Sequence, residues 1–296
     1  MSSREQLTSS LNRFFNQNLN VMAIKGEWGI GKTYFWDNYF NNNKSNLGLV
    51  AYSYVSLFGI GSIDELKTKL FHNGKPLMTT EEIREEFKRN LENSNELSQL
   101  FKKSSLFKNI LDAINSKIYS LNKFTWFTKY IPQFSSLSKL QSIYEYNLVN
   151  KYLICFDDLE RCGESLNIKD VMGLIDELSV KKNCKILLIL NENTFDDEQK
   201  LGFDKYREKI IDFELEYKPS IESNLEIIFP EKNRVFKTLL NSFSILKVRN
   251  IRIFKKVKFL LDTLSEHTND LEDILIDEIT THICVFSWGY YCQDRS

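Results

Sequence analysis

Several residue types that often carry function are scarce or scattered in this chain of 296 residues. The three histidines are isolated from one another, and the five cysteines lack the spacing of metal ligands. A zinc site or a histidine-based catalytic site is therefore not expected. The odd number of cysteines, some of them in apolar segments that resemble strands, is typical of a reduced cytosolic protein.

Long apolar runs and an excess of charge of one sign are also missing. No segment approaches the length of about 18 apolar residues that a membrane span needs, and the N-terminus lacks an apolar signal region. The sequence therefore predicts a cytoplasmic protein without an integral membrane segment. The net charge of −1 gives no overall basic field, so binding to nucleic acid is not indicated. With four prolines and 13% aromatic residues, the chain has the composition of a folded protein.

One short segment carries a complete phosphate-binding pattern. Residues 26–33 read GEWGIGKT and match GxxxxGK[ST] at every fixed position. Its glycines permit turns in which successive N–H groups face phosphate oxygens. An apolar segment precedes it and a segment without helix breakers follows, which predicts a strand, a loop and the N-terminus of a helix. The residues expected to bind nucleotide are Gly26, Glu27, Trp28, Gly29, Ile30, Gly31, Lys32 and Thr33.

Two of these residues have a defined chemical task. The Lys32 ammonium is expected to reach the β- and γ-phosphates of a nucleoside triphosphate, and the Thr33 hydroxyl to hold Mg²⁺. The pattern thus predicts a magnesium-bound nucleoside triphosphate as the ligand.

A second motif supplies carboxylates. Residues 153–158 read LICFDD, an apolar strand followed by two acids, which is the Walker B arrangement. In open α/β folds such a strand brings acids to the edge where ligands bind. Because adjacent side chains on a strand point to opposite faces, each acid is assigned one task. Asp157 is expected to hold Mg²⁺ and Asp158 to polarise the attacking water. Glutamate is commoner at the second position in related active ATPases, so the shorter Asp158 predicts slow hydrolysis.

The next apolar strand, at 185–190, ends in Asn191. A polar side chain there can contact the γ-phosphate, although the residue equally suits the opening of a loop. Residues 191–194 read NENT and lack the acid of the NKxD motif that reads guanine. ATP is therefore favoured over GTP by elimination.

The alternation of strands and helices predicts an α/β fold, with a parallel sheet of about five strands flanked by helices. A helical block interrupts this alternation, and a helical lid follows the last strand. We expect residues 1–77 and 151–218 to form the two parts of the core, 78–150 the helical insertion, and 219–296 the lid. The last 24 residues or so are apolar and aromatic, which suggests that the lid is truncated and that the protein is longer.

The motifs together resemble the KAP family of P-loop NTPases, whose loop commonly reads GEWGxGK[ST]. The segments 54–59, YVSLFG, and 157–162, DDLERC, add to the resemblance. Glu160 stands where the family usually has aspartate. The resemblance extends to 205–210, KYREKI, and to 250–252, NIR, which is similar to the NxR that opens the lid helix of the family.

This resemblance implies an additional-strand ATPase core of the STAND and AAA type, with a helical lid and a tendency to form oligomers. Family members typically carry transmembrane helices between the two Walker motifs, whereas the insertion here is too polar to span a bilayer. The resemblance therefore implies a soluble bacterial branch, for which a role in anti-phage defence is expected. Arg161 matches the position of an arginine finger, with a local ion pair as the alternative, and Arg252 matches the lid arginine that contacts nucleotide.

The sequence therefore predicts a slow Mg²⁺-dependent ATPase that acts as a molecular switch. Its partners are ATP and either further copies of the chain or an effector protein. The alternative is a non-catalytic interaction scaffold in which the nucleotide is structural. The residues assigned to catalysis are Lys32, Asp158, Arg161 and Asn191.

Overall fold

The computed structural model describes residues 3–79, 82, 145–162, 166–231, 234–268 and 271–292. Most of the predicted insertion, 78–150, lies outside the described residues. The strands are β1 (Val21–Lys25), β2 (Ala51–Ser56), β3 (Lys75–Pro76), β4 (Tyr152–Asp157), β5 (Lys185–Leu190) and β6 (Phe213–Glu216). The α-helices are α1 (Ser3–Asn16), α2 (Lys32–Asn43), α3 (Ile63–His72), α4 (Ile168–Val180), α5 (Asp197–Ile210), α6 (Ile221–Ile228), α7 (Arg234–Ile245), α8 (Ile251–Thr268) and α9 (Asp273–Tyr291).

The strands form one sheet in the order β3-β2-β4-β5-β1-β6. Parallel pairing joins β2 to β4 and β4 to β5, with Ser56 opposite Asp157 and Asp157 opposite Ile189. The predicted α/β architecture is confirmed, with six strands where the sequence indicated about five. The short antiparallel edge strand β3 has no apolar pattern to announce it, and its proline suits an edge position.

The central strands are apolar because both faces of the sheet are covered. Every residue of β4 is buried, and so are the last five of β5. Continuous apolar runs of this kind are typical of parallel strands with helices on both sides. The connection between them, α4, buries Val171, Ile175 and Leu178 on one face. Asn167 caps the start of this helix, because its side chain accepts a hydrogen bond from the backbone N–H of Lys169.

The chain divides into two compact units. The sheet unit comprises residues 12–24 and 40–214, and its core is formed by the apolar side chains of the central strands and of α3 and α4. The loop unit comprises residues 1–11, 25–39 and 215–296. A second apolar core holds helices α6 to α9 of the loop unit together, with Phe243 and Phe254 in ring contact at its centre.

The last helix, α9, is apolar on more than one side. It buries Cys284 in the core of the loop unit, while Phe286 remains 74% exposed. Within the described ranges, no helix combines the length and the apolar character required to cross a membrane.

A pair of leucine substitutions, one buried and one exposed, tests the core of the sheet unit. Leu188 in β5 is fully buried, whereas Leu201 on α5 is 74% exposed. We expect Leu188→Ala to lower the free energy of unfolding by about 2–5 kcal/mol, because it leaves a cavity. The control Leu201→Ala is expected to change it by less than about 0.5 kcal/mol. Urea denaturation measures both, and equal losses would contradict the central position of β5.

Candidate nucleotide-binding site

The phosphate loop joins β1 to α2, as the sequence predicts, and α2 begins at Lys32. Gly29 has φ 77° and Gly31 has φ 95°, a conformation that side-chain-bearing residues rarely adopt. The Glu27 and Trp28 side chains are exposed, whereas Ile30 is buried. The spacing of the glycines in the motif thus meets a backbone requirement of this loop.

The Lys32 side chain folds back onto this loop. It is buried, and its Nζ donates hydrogen bonds to the carbonyl oxygens of Gly26 at 2.5 Å and Glu27 at 2.9 Å. Its ammonium is therefore held within the loop. Thr33 follows in the first turn of α2, where the helix dipole favours an anion. A positive charge, a hydroxyl and glycine backbone in one loop fit a triphosphate with its magnesium ion.

The start of α8, the predicted lid helix, contacts the same loop. The backbone N–H of Ile251 donates to the Gly29 carbonyl at 2.7 Å. Asn250 precedes the helix, and its side-chain oxygen accepts from the N–H of Arg252 at 2.9 Å. The Arg252 side chain is exposed. The loop unit therefore brings together the loop and the NxR segment, while nucleotide contact by Arg252 stays a prediction.

In the sheet unit, the two acids differ from the expected arrangement. β4 ends at Asp157, which is buried, and Asp158 adopts a left-handed conformation with φ 59°. The rule that adjacent side chains point to opposite faces applies only within a strand, so it was wrong to extend it to Asp158. Two hydroxyl-bearing side chains of the neighbouring strand β2 hold these acids.

Tyr54 and Ser56 lie two residues apart on β2. The Tyr54 hydroxyl donates to Asp157 Oδ2 at 2.8 Å, and the Ser56 hydroxyl donates to Asp158 Oδ2 at 2.8 Å. Burial, with the nearby Asp157 carboxylate, raises the pKa of Tyr54, so this residue remains a neutral donor. In the sequence, residues 54–59 contributed only to the resemblance to the KAP family. The sequence feature that could have indicated their role is the pair of hydroxyl-bearing residues two positions apart on one strand, since both then point to the same face.

Arg161 lies close to Asp158 of its own chain. Its Nη1 lies 3.8 Å from Asp158 Oδ1, and its guanidinium lies 4.0 Å from the ring centroid of Phe58. The local ion pair considered from the sequence is thus present. Both side chains are partly exposed, 39% and 27%, so water weakens the attraction between them.

Asn191 follows β5, which lies beside β4 in parallel, so it stands at the same sheet edge as the two acids. It is buried, and its Oδ1 has no hydrogen-bond partner among the residues that the structure describes. The segment after it is anchored by Arg207, whose guanidinium binds Glu192 at 3.1 Å and Glu214 at 2.5 Å. A buried acceptor without a donor is unusual and fits a group that contacts a ligand or its water.

Comparison with solved structures supports the α/β fold described above. The chain is similar to the Aeropyrum pernix ORC2 protein, solved in ADPNP-ADP complexes, with a TM-score of 0.55 and 12% identity over 94% of this chain and 66% of that one. It is also similar to domain III of the Thermotoga maritima replication initiation protein DnaA, with a TM-score of 0.47 and 11% identity over 95% and 91% of the two chains. At this identity, the ORC2 similarity shows the fold alone.

The chain spans 66% of the ORC2 protein, just under two thirds of its length. None of the curated protein sequences matches it. The model of the KAP family P-loop domain matches residues 4–275, a range that includes the phosphate loop, both acids, Asn191 and the start of the lid helix. On this evidence, the chain belongs to the KAP family of P-loop NTPases.

Proposed function

We propose that this chain binds ATP together with Mg²⁺ and hydrolyses it slowly as a molecular switch. The observation that carries the proposal is the phosphate loop, in which glycines with positive φ surround a buried lysine ammonium. The absence of a guanine-reading acid in 191–194 favours ATP over GTP. The similar ORC2 protein was solved with ADPNP and ADP, which agrees with an adenine nucleotide.

Each residue of the proposed nucleotide site would have its own task in binding or hydrolysis. Thr33 and Asp157 would hold Mg²⁺, which when bound neutralises charge on the phosphates. Lys32 would bind the β- and γ-phosphates, Asn191 would contact the γ-phosphate or the attacking water, and Asp158 would accept the proton of that water.

Slow turnover is supported by the surroundings of Asp158. Its Oδ2 accepts a hydrogen bond from Ser56, and Arg161 stands near its other oxygen. An attacking water must therefore compete with these two side chains for the Asp158 oxygens. Aspartate also reaches less far than the glutamate usual at this position in related ATPases. Both features favour a switch over a fast enzyme.

The switch would act on association with further copies or with an effector protein. Arg161 is partly exposed, so its guanidinium is accessible for a second role as an arginine finger toward a neighbouring subunit. A cytoplasmic role in anti-phage defence and a lid at 219–296 complete the proposal, and most of the predicted insertion at 78–150 lies outside the described residues. These points rest on family membership and composition.

Removing the loop lysine tests nucleotide binding. A hydrogen bond to a charged group is worth about 1.5–3 kcal/mol, so Lys32→Ala is expected to weaken ATP binding at least about tenfold. Lys44→Ala, an exposed lysine just after α2, is the control and is expected to bind as the parent does. Titration calorimetry measures both, and unchanged affinity in Lys32→Ala would refute the proposed site.

Removing the charge of the second acid separates binding from catalysis. Asp158→Asn is expected to bind ATP normally and to lose phosphate release by about 10²- to 10⁴-fold, the usual contribution of a general base. Asp197→Asn, at an exposed acid on α5, serves as the control. If parent and Asp158→Asn show the same rate, or none at any protein concentration, the non-catalytic scaffold is the better description.

Association is tested by mass in solution. Without nucleotide we expect a species near 34.9 kDa, and with Mg²⁺ and a slowly hydrolysed ATP analogue a multiple of that mass. Lys32→Ala should show a smaller change at the same concentration of analogue, because it binds the nucleotide more weakly. Light scattering coupled to gel filtration measures the mass, and an identical profile with and without analogue would contradict nucleotide-driven assembly.

A further inference from the structure

A fully buried carboxamide in the loop unit is not explained by the predicted motifs. Asn224 lies on α6 and has no exposed surface. It is not needed to begin the helix, because the Ser220 hydroxyl already accepts the hydrogen bond from the N–H of Ser223. Placing an amide in a core is costly unless its polar atoms are bonded, so its partners indicate its purpose.

Asn224 binds three separate segments. Its Nδ2 donates to the carbonyl of Ile30 at 3.1 Å and to the carbonyl of Arg249 at 2.9 Å. Its Oδ1 accepts from Arg4 Nη2 at 3.3 Å. Arginine has donors only, so the oxygen of the amide must face Arg4 and the NH₂ group must face the two carbonyls. The orientation of the side chain is therefore fixed by chemistry.

Two consecutive carbonyl groups of the phosphate loop are held by hydrogen bonds. The Gly29 carbonyl accepts from Ile251 N–H, and the next carbonyl, of Ile30, accepts from Asn224. In a trans peptide the C=O and the following N–H point in opposite directions. Fixing these two carbonyls toward α6 and α8 therefore directs the N–H groups of Ile30 and Gly31 the other way.

The glycines of the loop permit this close contact. A Cβ atom on Gly29 would lie 2.2 Å from Asn250 Oδ1, and one on Gly31 would lie 2.4 Å from Ile251 Cδ1. Real Cβ atoms do not approach other atoms so closely. Two glycines of GEWGIGKT thus serve the contact with the lid as well as their own positive φ angles.

We propose that Asn224 is a positioning residue for phosphate binding. It holds the Ile30 carbonyl and thereby aims the N–H of Gly31 at the phosphates, and it ties this peptide to residue 249, two residues before α8. Phosphate occupancy of the loop is in this way linked to the start of the lid helix. The inference rests on the proposed function, because it requires the loop to bind a phosphate-bearing nucleotide.

An isosteric variant isolates this role. Asn224→Asp keeps an oxygen for Arg4 and removes both N–H donors to the carbonyls. We expect it to weaken binding of ATP and of ADP at least tenfold, measured by titration calorimetry. Thr238→Val is the matched control, since it removes a 2.7 Å hydrogen bond to Asp277 between α7 and α9 of the same unit. The control is expected to lower the melting temperature and to leave both affinities within twofold of the parent.

The pH dependence of the variant separates positioning from a merely structural role. The two carbonyl oxygens favour the neutral form of the introduced carboxyl and the Arg4 guanidinium favours its ionised form, and in either case the neutral form returns as the pH falls. The neutral acid donates one O–H and restores one of the two lost bonds. The ratio of parent to variant affinity for ATP is therefore expected to decrease toward lower pH. A ratio that stays constant across the pH range would contradict the positioning role.

The outcomes distinguish the two proposals. Equal ATP affinity in the parent and in folded Asn224→Asp overturns this inference and leaves the proposed function standing, whereas no ATP binding by the parent overturns both. If Asn224→Asp does not fold, hydrogen exchange of the parent decides. ATP is expected to slow exchange at the amide of Ile251 as well as at those of the loop, and unchanged exchange at Ile251 overturns the link to the lid.

Discussion

The loop unit depends on the hydrogen bonds that α6 and α8 donate to backbone carbonyls of the phosphate loop. A loop of glycines has few side chains with which to fix its own shape, and glycine loses more conformational freedom on folding than other residues. The bonds from Ile251 to Gly29 and from Asn224 to Ile30 supply the missing constraint from outside the motif. Because the apolar core of α6 to α9 positions both donors, the shape of the loop depends on the packing of the lid.

In the sheet unit, the two acids are likewise held by residues outside their own motif. A buried carboxylate such as that of Asp157 needs hydrogen-bond donors, and Tyr54 provides one from the adjacent strand, while Ser56 donates to the partly exposed Asp158. The parallel register of β2 and β4 places these hydroxyls beside the strand end, so pairing in the sheet decides where the carboxylates lie. In both units the reactive groups are positioned by neighbours that the motifs themselves do not contain.

The magnitudes of these contacts indicate which of them could change during the proposed nucleotide cycle. The pair of Arg161 and Asp158 is partly exposed and 3.8 Å long, so it contributes about 0–1 kcal/mol and is released at little cost. The bonds of Asn224 are buried, and leaving one such group unpaired costs about 1–3 kcal/mol. Arg161 is thus suited to exchange partners, whereas Asn224 is suited to keep them. The proposed switch would use both kinds of contact.

The sequence alone determined the elements that local pattern encodes. The GEWGIGKT motif, the apolar runs of β4 and β5 and the acids after β4 follow from residue type and spacing, because a buried parallel strand and a phosphate loop each require a particular composition. Only the tertiary structure decided what reaches these elements from far along the chain. Asn224 meets Ile30 across 194 positions, Tyr54 meets Asp157 across 103, and the left-handed turn at Asp158 changes where its carboxylate lies. No local pattern carries such contacts, since they arise from the packing of helices and the order of strands in the sheet.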